Sequence, residues 1–494
     1  MKTRAYHIVF AISLLALASC KKSSESADTT SQTPERNEIV AELDLDAIIE
    51  RGHLTAIIDN SSTGLFLYKG EPMGYEFDLL TLFCKEIGVE LRLEVTPSLT
   101  EGFMKLNQGK GDILAYNLTV TKERKKRIAF THYHNLVRQV LVQRKPDNWR
   151  DLKLHEIERS LIRNPIELIG EEIWVRNSSS YLTRMRNLSD EIGGDIIIVE
   201  DYPDVETEAL IRKVAEGEIS YTVAYEDVAL VNASYYPNLD VKTPVSLPQQ
   251  IAWGVRKNAP NLLTRLNDWI DQMRKTNDYY VIYDKYFRST RQSRRRVNSE
   301  FFSSGDGRIS PFDSLIKQAA GKLNWDWRLL AAQINKESRF DPKTKSWAGA
   351  VGLMQIMPKT GARFGATNLL DPVQSIEAGS NYLVWLEDYW KPHIPDSLER
   401  VKFVLGSYNV GQGHVMDAVR LARKYEKDTA VWDDNVAFYL LQKSYSKYFN
   451  DPVVKHGYCR GIEPVNYVTD IFALYENYLD IIPQEPEDQA VPLP

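Results

Sequence analysis

The hydrophobic period of this 494-residue chain changes once, and that change limits what the chain can fold into. From residue 41 to about 288, short alternating apolar runs take turns with helical ones. The runs include "HLTAIID" (53–59), the amphipathic "YEFDLLTLFCKEIG" (75–88) closed by Gly88, "VELRLEV" (89–95) and "DILAY" (112–116). A second block follows with "EIWVRNSSSYLTRMRNL" (172–188), "GDIIIVED" (194–201), "ETEALIRKVAEGE" (206–218) and "ISYTVAYED" (219–227). Strand–helix alternation of this kind predicts α/β structure with largely parallel sheets. Two such blocks, joined by the extended runs 136–145 and 250–258, predict two lobes around a hinged cleft. From residue 311 only the helical period of 3.6 remains, so the second half is expected to be mainly α with its own core. Between the halves, 289–310 ("STRQSRRRVNSEFFSSGDGRIS") breaks both patterns. Its arginine run reads as a solvated linker, with a specific anion-binding patch as the alternative.

The N-terminus adds a location. Lys2 and Arg4 precede the apolar run "IVFAISLLAL" (8–17), which is too short to span a bilayer. It ends in Leu17-Ala18-Ser19-Cys20, which resembles the bacterial lipobox. The resemblance implies a signal peptide over 1–19, lipidation of Cys20, and a polar tether over 20–40. The expected location is the cell envelope, facing the periplasm, with the outer membrane as the anchoring membrane. Residues 482–494, "IPQEPEDQAVPLP", read as a disordered tail.

Composition excludes more than it identifies. A net charge of -6 gives no footprint for a nucleic-acid partner. The remaining cysteines, Cys84 and Cys459, lie far apart, and their pairing is left open. There is no HExxH, CxxC pair, P-loop or GxGxxG, and the eight histidines are scattered apart from His132 and His134, so no metal and no cofactor is expected.

One carboxylate stands out. Trp327, Leu330 and Ile334 share a helix face, and the next position on that stripe is Glu337. Either Glu337 reaches water from the last turn, or it lines a cleft with a raised pKa and can donate a proton near neutral pH.

Around it stand Glu337-Ser338, Gly349 to Pro358 ("GAVGLMQIMP"), Ser407-Tyr408-Asn409-Val410-Gly411 and Asn466-Tyr467-Val468. Together these resemble the lytic transglycosylase domain of the soluble-transglycosylase, lysozyme-like family; "HGYCRG" (456–461) also looks like an element of membrane-bound relatives. The resemblance implies a lysozyme-like domain over 311–481 that cleaves the MurNAc–GlcNAc β-1,4 bond of peptidoglycan glycan strands. Glu337 is then the catalytic residue, acid first and base second, with closure of a 1,6-anhydro ring. Ser338, Gln355, Tyr408, Asn409 and Tyr467 are the implied substrate-binding residues, and Gly349 and Gly352 would let backbone approach a glycan. An ordinary glycosidase uses two carboxylates. The local candidate, Asp341 before Pro342, reads better as a turn residue.

In the first half, "MGYEFDLLTLFCKEIG" (73–88), "GKGDILAYNLTVTKERKKRIAFT" (109–131) and "EGEISYTVAYEDVAL" (216–230) resemble the extracellular solute-binding domains of the amino-acid-binding type. The resemblance implies a two-lobed, periplasmic-binding-protein-like sensory domain over 41–288. Arg124 would grip a ligand carboxylate, and Thr119 and Glu226 complete the implied ligand set. The family's acidic residue falls near 225, but Tyr225-Glu226-Asp227 is out of clean register. The order of these parts resembles the membrane-bound lytic murein transglycosylases. A muropeptide or peptide effector in the first domain is the implied regulator. Two other readings stay open: a tethered solute-binding sensor whose lysozyme-like domain only holds glycan, and a hydrolytic muramidase.

Overall fold

Several helices of the first half are cut to length by a left-handed glycine. Tyr75–Ile87 buries Tyr75, Leu79, Leu80, Phe83 and Cys84 along one face, and Gly88 ends it at φ 72°. The same left-handed stop occurs at Gly193 after Ser180–Ile192 and at Gly217 after Thr207–Glu216. The chain is described by a computed structural model over residues 41–482, apart from 97, 178, 201–205 and 306. The proposed signal peptide, Cys20, the tether and residues 483–494 lie outside the described residues.

Two five-stranded sheets carry the two lobes. In the first the strand order is Glu90–Val95, His53–Ile58, Ile113–Leu114, Gly254–Val255, Ala129–Phe130. In the second it is Ile197–Glu200, Glu172–Val175, Tyr221–Tyr225, Gln139–Arg144, Leu239–Pro244. The sheets are mixed rather than largely parallel. His53–Ile58 pairs in parallel with both neighbours, but Gly254–Val255 returns antiparallel. The reversal follows from the route: the chain leaves the first lobe, builds the second and comes back. The run 136–145, expected as one strand, is two, Asn135–Val137 and Gln139–Arg144. Asn135–Val137 pairs antiparallel with Gln249–Ile251, so the two crossings form one ribbon between the lobes.

The segment 289–310 is not a free linker. Thr290–Val297 is a helix, in which Ser293 is buried and the Arg296 guanidinium donates to the Lys285 carbonyl and to Ser293 Oγ. Phe302–Ser303 adds a strand to the hairpin Phe66–Tyr68/Glu71–Met73. The hairpin turn Lys69-Gly70 has positive φ at both residues (53° and 75°), as a two-residue turn of the right twist requires.

That turn docks on the helical half. Asn335 Nδ2 donates to the Lys69 carbonyl at 2.7 Å, and Tyr478 Oη donates to the Gly70 carbonyl at 2.6 Å. A Cβ on Gly70 would lie 2.4 Å from the Phe340 ring, so only glycine fits. Leu93 N, on the first sheet's edge strand, donates to Asp480 Oδ2 at 2.9 Å. One continuous buried core runs from Leu54 and Phe83 through to Leu330, Phe403 and Ile471.

From Asp313 onward the elements are helical, the longest being Pro372–Trp390 and Ile462–Ile481. Trp390 is fully buried and donates its indole N–H to Ser407 Oγ at 2.8 Å, which makes Ser407 a core residue. Deep in this half lies a buried ion pair: Lys443 Nζ donates to Asp417 Oδ2 at 2.8 Å, with both side chains inaccessible. The Asp417 carboxylate also accepts from the backbone N–H groups of Lys455 and His456 and from Arg420. Cys84 and Cys459 are both buried and free.

Candidate active site

The helix Trp327–Ser338 is capped by Asp326, whose side chain accepts from Arg328 N, and it buries Leu330 and Ile334 completely. It ends in two successive left-handed residues, Arg339 (φ 52°) and Phe340 (φ 60°). Burial of the Phe340 ring fixes this otherwise unfavourable stop. Glu337 therefore sits in the last turn, half-buried. The helix C-terminus disfavours a negative charge there. Burial pushes the Glu337 carboxyl up to about 7, against smaller opposing effects of a Tyr467 hydrogen bond and Lys336. Tyr467 Oη donates to Glu337 Oε1 at 2.6 Å from the facing helix Ile462–Ile481. A carboxyl poised near 7 can give up a proton and take one back at the same pH.

Tyr408, on Ser397–Val410, faces the same carboxyl: its hydroxyl donates to the Met354 carbonyl at 2.8 Å, and burial followed by the Glu337 charge raises its pKa. Its ring packs on Tyr382 with centroids 5.2 Å apart. Thus Glu337, Tyr408 and Tyr467 are brought together from three helices. Gln355 is differently placed. It has φ 47°, and its amide Nε2 donates to the carbonyls of Thr344 (3.0 Å) and Gly352 (2.9 Å), so it clasps the loop rather than offering those N–H groups to a ligand. Ser338 is buried and donates back to the Ile334 carbonyl at 3.2 Å. Asn409 is exposed beside Tyr408. Gly352 is required by the protein's own backbone: a Cβ there would meet the Leu369 carbonyl oxygen at 1.9 Å. Gly349 has open space around it and needs only its φ of 93°.

Gln333 escaped the sequence reading. It is fully buried one turn before Glu337, and neither its amide oxygen nor its amide nitrogen has a hydrogen-bond partner among the described residues. An uncharged polar residue on the stripe Leu330–Ile334–Glu337 was the available signal. Asp341, the nearest carboxylate along the chain, is exposed and accepts from Lys343 N at 2.9 Å, as a turn residue does.

Two family models match the chain: Transglycosylase SLT domain over 314–431 and Bacterial extracellular solute-binding proteins, family 3, over 54–289. A membrane-bound lytic murein transglycosylase F of Desulfosudis oleivorans is 32% identical over 430 residues, covering 87% of this chain and 90% of its own length. The chain belongs to the membrane-bound lytic murein transglycosylase F family. It is a peptidoglycan lytic transglycosylase. Relatives of the same name in Alkalilimnicola ehrlichii and Pseudomonas fluorescens are 31% and 29% identical, covering 91% and 87% of this chain and 87% and 86% of theirs. Among solved structures, ArgBP from T. maritima matches 49% of this chain and 99% of its own at 24% identity and TM-score 0.41.

As in that family, the transglycosylase half follows a solute-binding half, whose cleft has its own polar cluster. Asp59, Glu76 and Asp227 line one small cavity together with Asn117, Asn135 and Tyr75. Burial raises Asp59 and Asp227 each to about 6 and Glu76 well above the carboxylate range. Arg124 and Thr119 meet: the guanidinium donates to the Thr119 carbonyl at 3.0 Å. Thr119 Oγ1 also hydrogen-bonds Tyr225 Oη. Glu226 is not part of the cavity lining. It pairs with Arg138 at 2.8 Å, and the next residue, Asp227, is the buried one, held by Asn135 Nδ2 at 3.3 Å. Tyr225 is the N-cap of the following helix, so the chain turns there and exchanges the faces of 226 and 227. Among the described residues, no helix is long and apolar enough to cross a membrane.

Proposed function

We propose that Glu337 alone carries the chemistry, as acid and then as base. Its proton passes to the glycosidic oxygen as the MurNAc C1–O bond breaks. The resulting carboxylate takes the proton of the same sugar's C6 hydroxyl as O6 closes on C1, which gives 1,6-anhydro-MurNAc and restores the acid without water. The observation that carries this reading is a lone half-buried carboxyl near pKa 7 with a tyrosine donor at 2.6 Å. A hydrolytic muramidase would need a second group to activate water. The test is the mass of products released from purified peptidoglycan. They are expected to be one water lighter than lysozyme products; reducing-end products would overturn the assignment in favour of hydrolysis. A glycan-holding sensor has no use for the poised acid.

The solute-binding half is proposed to take a wall-derived peptide or muropeptide, with Arg124, backed by Thr119, receiving a carboxylate and Asp227 an ammonium. The hairpin turn on Asn335, two residues before Glu337, provides a route from that half to the acid. Titration calorimetry with wall peptides is expected to show binding that changes the transglycosylase rate. Binding without a change in rate would leave this half a spacer. Lipidation at Cys20 and outer-membrane anchoring complete the proposal; replacing Cys20 by Ser should move the protein from the membrane to the soluble fraction.

A further inference from the structure

The loop leading away from Glu337 carries a feature that the chemistry above does not use. Trp347 is fully exposed (101%), more than any other large apolar side chain among the described residues. Lys343 and Lys345 are exposed as well, whereas Thr344 and Ser346 between them are half-buried. Lys343 lies in the turn that starts at Asp341 and Trp347 in the turn that starts at Ser346, with Lys345 on a β-bridge between the two turns, so the three exposed side chains fall within five residues of one loop. Neither lysine forms an ion pair among the described residues, so two unpaired cations precede an exposed indole.

The segment is held firmly. Thr344 O accepts from Gly352 N and from Gln355 Nε2, each at 3.0 Å. Ser346 N donates to Ala350 O at 2.9 Å, Ala350 N donates to Ser346 Oγ at 2.9 Å, and Lys345 bridges Val351. Through Asp341 N, which donates to Ser338 O at 3.1 Å, it is tied to the end of the Glu337 helix. Even a fully extended chain of six residues would place Trp347 no more than ~22 Å from Asp341. The backbone that carries the indole is already ordered, so binding through it costs little chain freedom, which favours it as a contact residue.

We propose that Lys343, Lys345 and Trp347 form a docking strip for the incoming peptidoglycan strand. Trp347 stacks on the apolar face of a sugar ring, and the two lysines pair with carboxylates of the peptide stems. The proposal rests on the reading of Glu337 as the reactive centre, since it names what lies beside that centre. The partner follows from chemistry: a flat aromatic face suits a pyranose ring, the lysines suit a polyanion, and Gln355 Nε2 ties the strip to the rest of its loop through the Thr344 carbonyl. A tryptophan close to lysines also suits a membrane surface, so the test separates the two.

Full-length protein carrying Glu337→Gln is sedimented with intact peptidoglycan, with glycan strands stripped of their peptides by an amidase, and with vesicles of phosphatidylglycerol and phosphatidylethanolamine. Adding Trp347→Ala is expected to weaken binding to both wall preparations by about tenfold, with Trp347→Phe restoring most of it. Adding Lys343→Glu and Lys345→Glu together should weaken binding to intact peptidoglycan only, and most at low salt. All three side chains are exposed, so the fold is expected to survive. Unchanged binding of Trp347→Ala to both wall preparations would overturn the proposal. So would loss of vesicle binding with wall binding intact, which would assign the strip to the membrane. Residual turnover in Glu337→Gln would overturn the catalytic assignment while leaving the docking result to stand separately.

Discussion

Glu337→Gln is expected to lower turnover of purified peptidoglycan by at least about a hundredfold, the scale of general acid–base catalysis. The amide keeps the shape of the carboxyl and can still accept from Tyr467, but it has no proton to transfer. With the carboxyl at about 7, the acid form predominates below that pH, so the wild-type rate should fall as pH rises through about 7. Tyr467→Phe removes a bond that favours the carboxylate, and the alkaline limb should move upward. The same shift bears on stability: the native state holds the Glu337 proton more tightly than the unfolded chain, so this group's stabilisation is complete below about 4.5 and lost as pH passes 7. Glu337→Gln should therefore melt no lower than wild type at pH 8, a control that separates lost chemistry from lost fold. Near-wild-type turnover would remove Glu337 from the mechanism.

Asp417→Ala is expected to destabilise the protein by about 3–5 kcal/mol, because it leaves the inaccessible Lys443 ammonium without its counter-charge. Burial works against the Asp417 charge, yet Lys443 and the N–H groups of Lys455 and His456 hold its carboxyl below the usual range. The substitution also releases those two N–H groups, which fix the segment leading to the Tyr467 helix. Replacing Lys443 by Met in the same chain removes the stranded charge but not the lost backbone bonds, so it should recover only part of the deficit. Urea unfolding measures both; a loss below about 1 kcal/mol for Asp417→Ala would show that the pair is hydrated.

Local pattern singled out Glu337 and missed much of what surrounds it. Glu337 was visible because a stripe of period 3.6 ended on a carboxylate, and Tyr408 and Tyr467 were visible through the family motif. Gln333 was hidden because a single amide hardly disturbs an apolar stripe. The clasp made by Gln355 depends on a positive φ, which its residue type does not announce. At Glu226 and Asp227 a one-residue step at a strand-to-helix turn decided which carboxylate is buried, and boundaries of that kind are not fixed by periodicity. The strand Phe302–Ser303 is two residues long and pairs with residues more than two hundred positions earlier, so nothing in its neighbourhood marks it. That is why an arginine-rich run read as a linker is instead part of the fold.

That short strand also bears on how such a chain can be assembled from parts. A sensory domain and an enzyme joined by a loose tether can be exchanged between genes at the tether, because neither depends on the other's sequence. Here the connecting segment completes a hairpin of the first half, and the tip of that hairpin, with no room for a side chain at Gly70, fits against Asn335, Phe340 and Tyr478 of the second. A recombinant in which a foreign solute-binding domain replaces residues 41–288 inherits the socket without the plug. Successful chimeras should therefore be those that keep the hairpin 66–73 together with the strand 302–303, and shuffling at 289 should fail where shuffling around that unit succeeds.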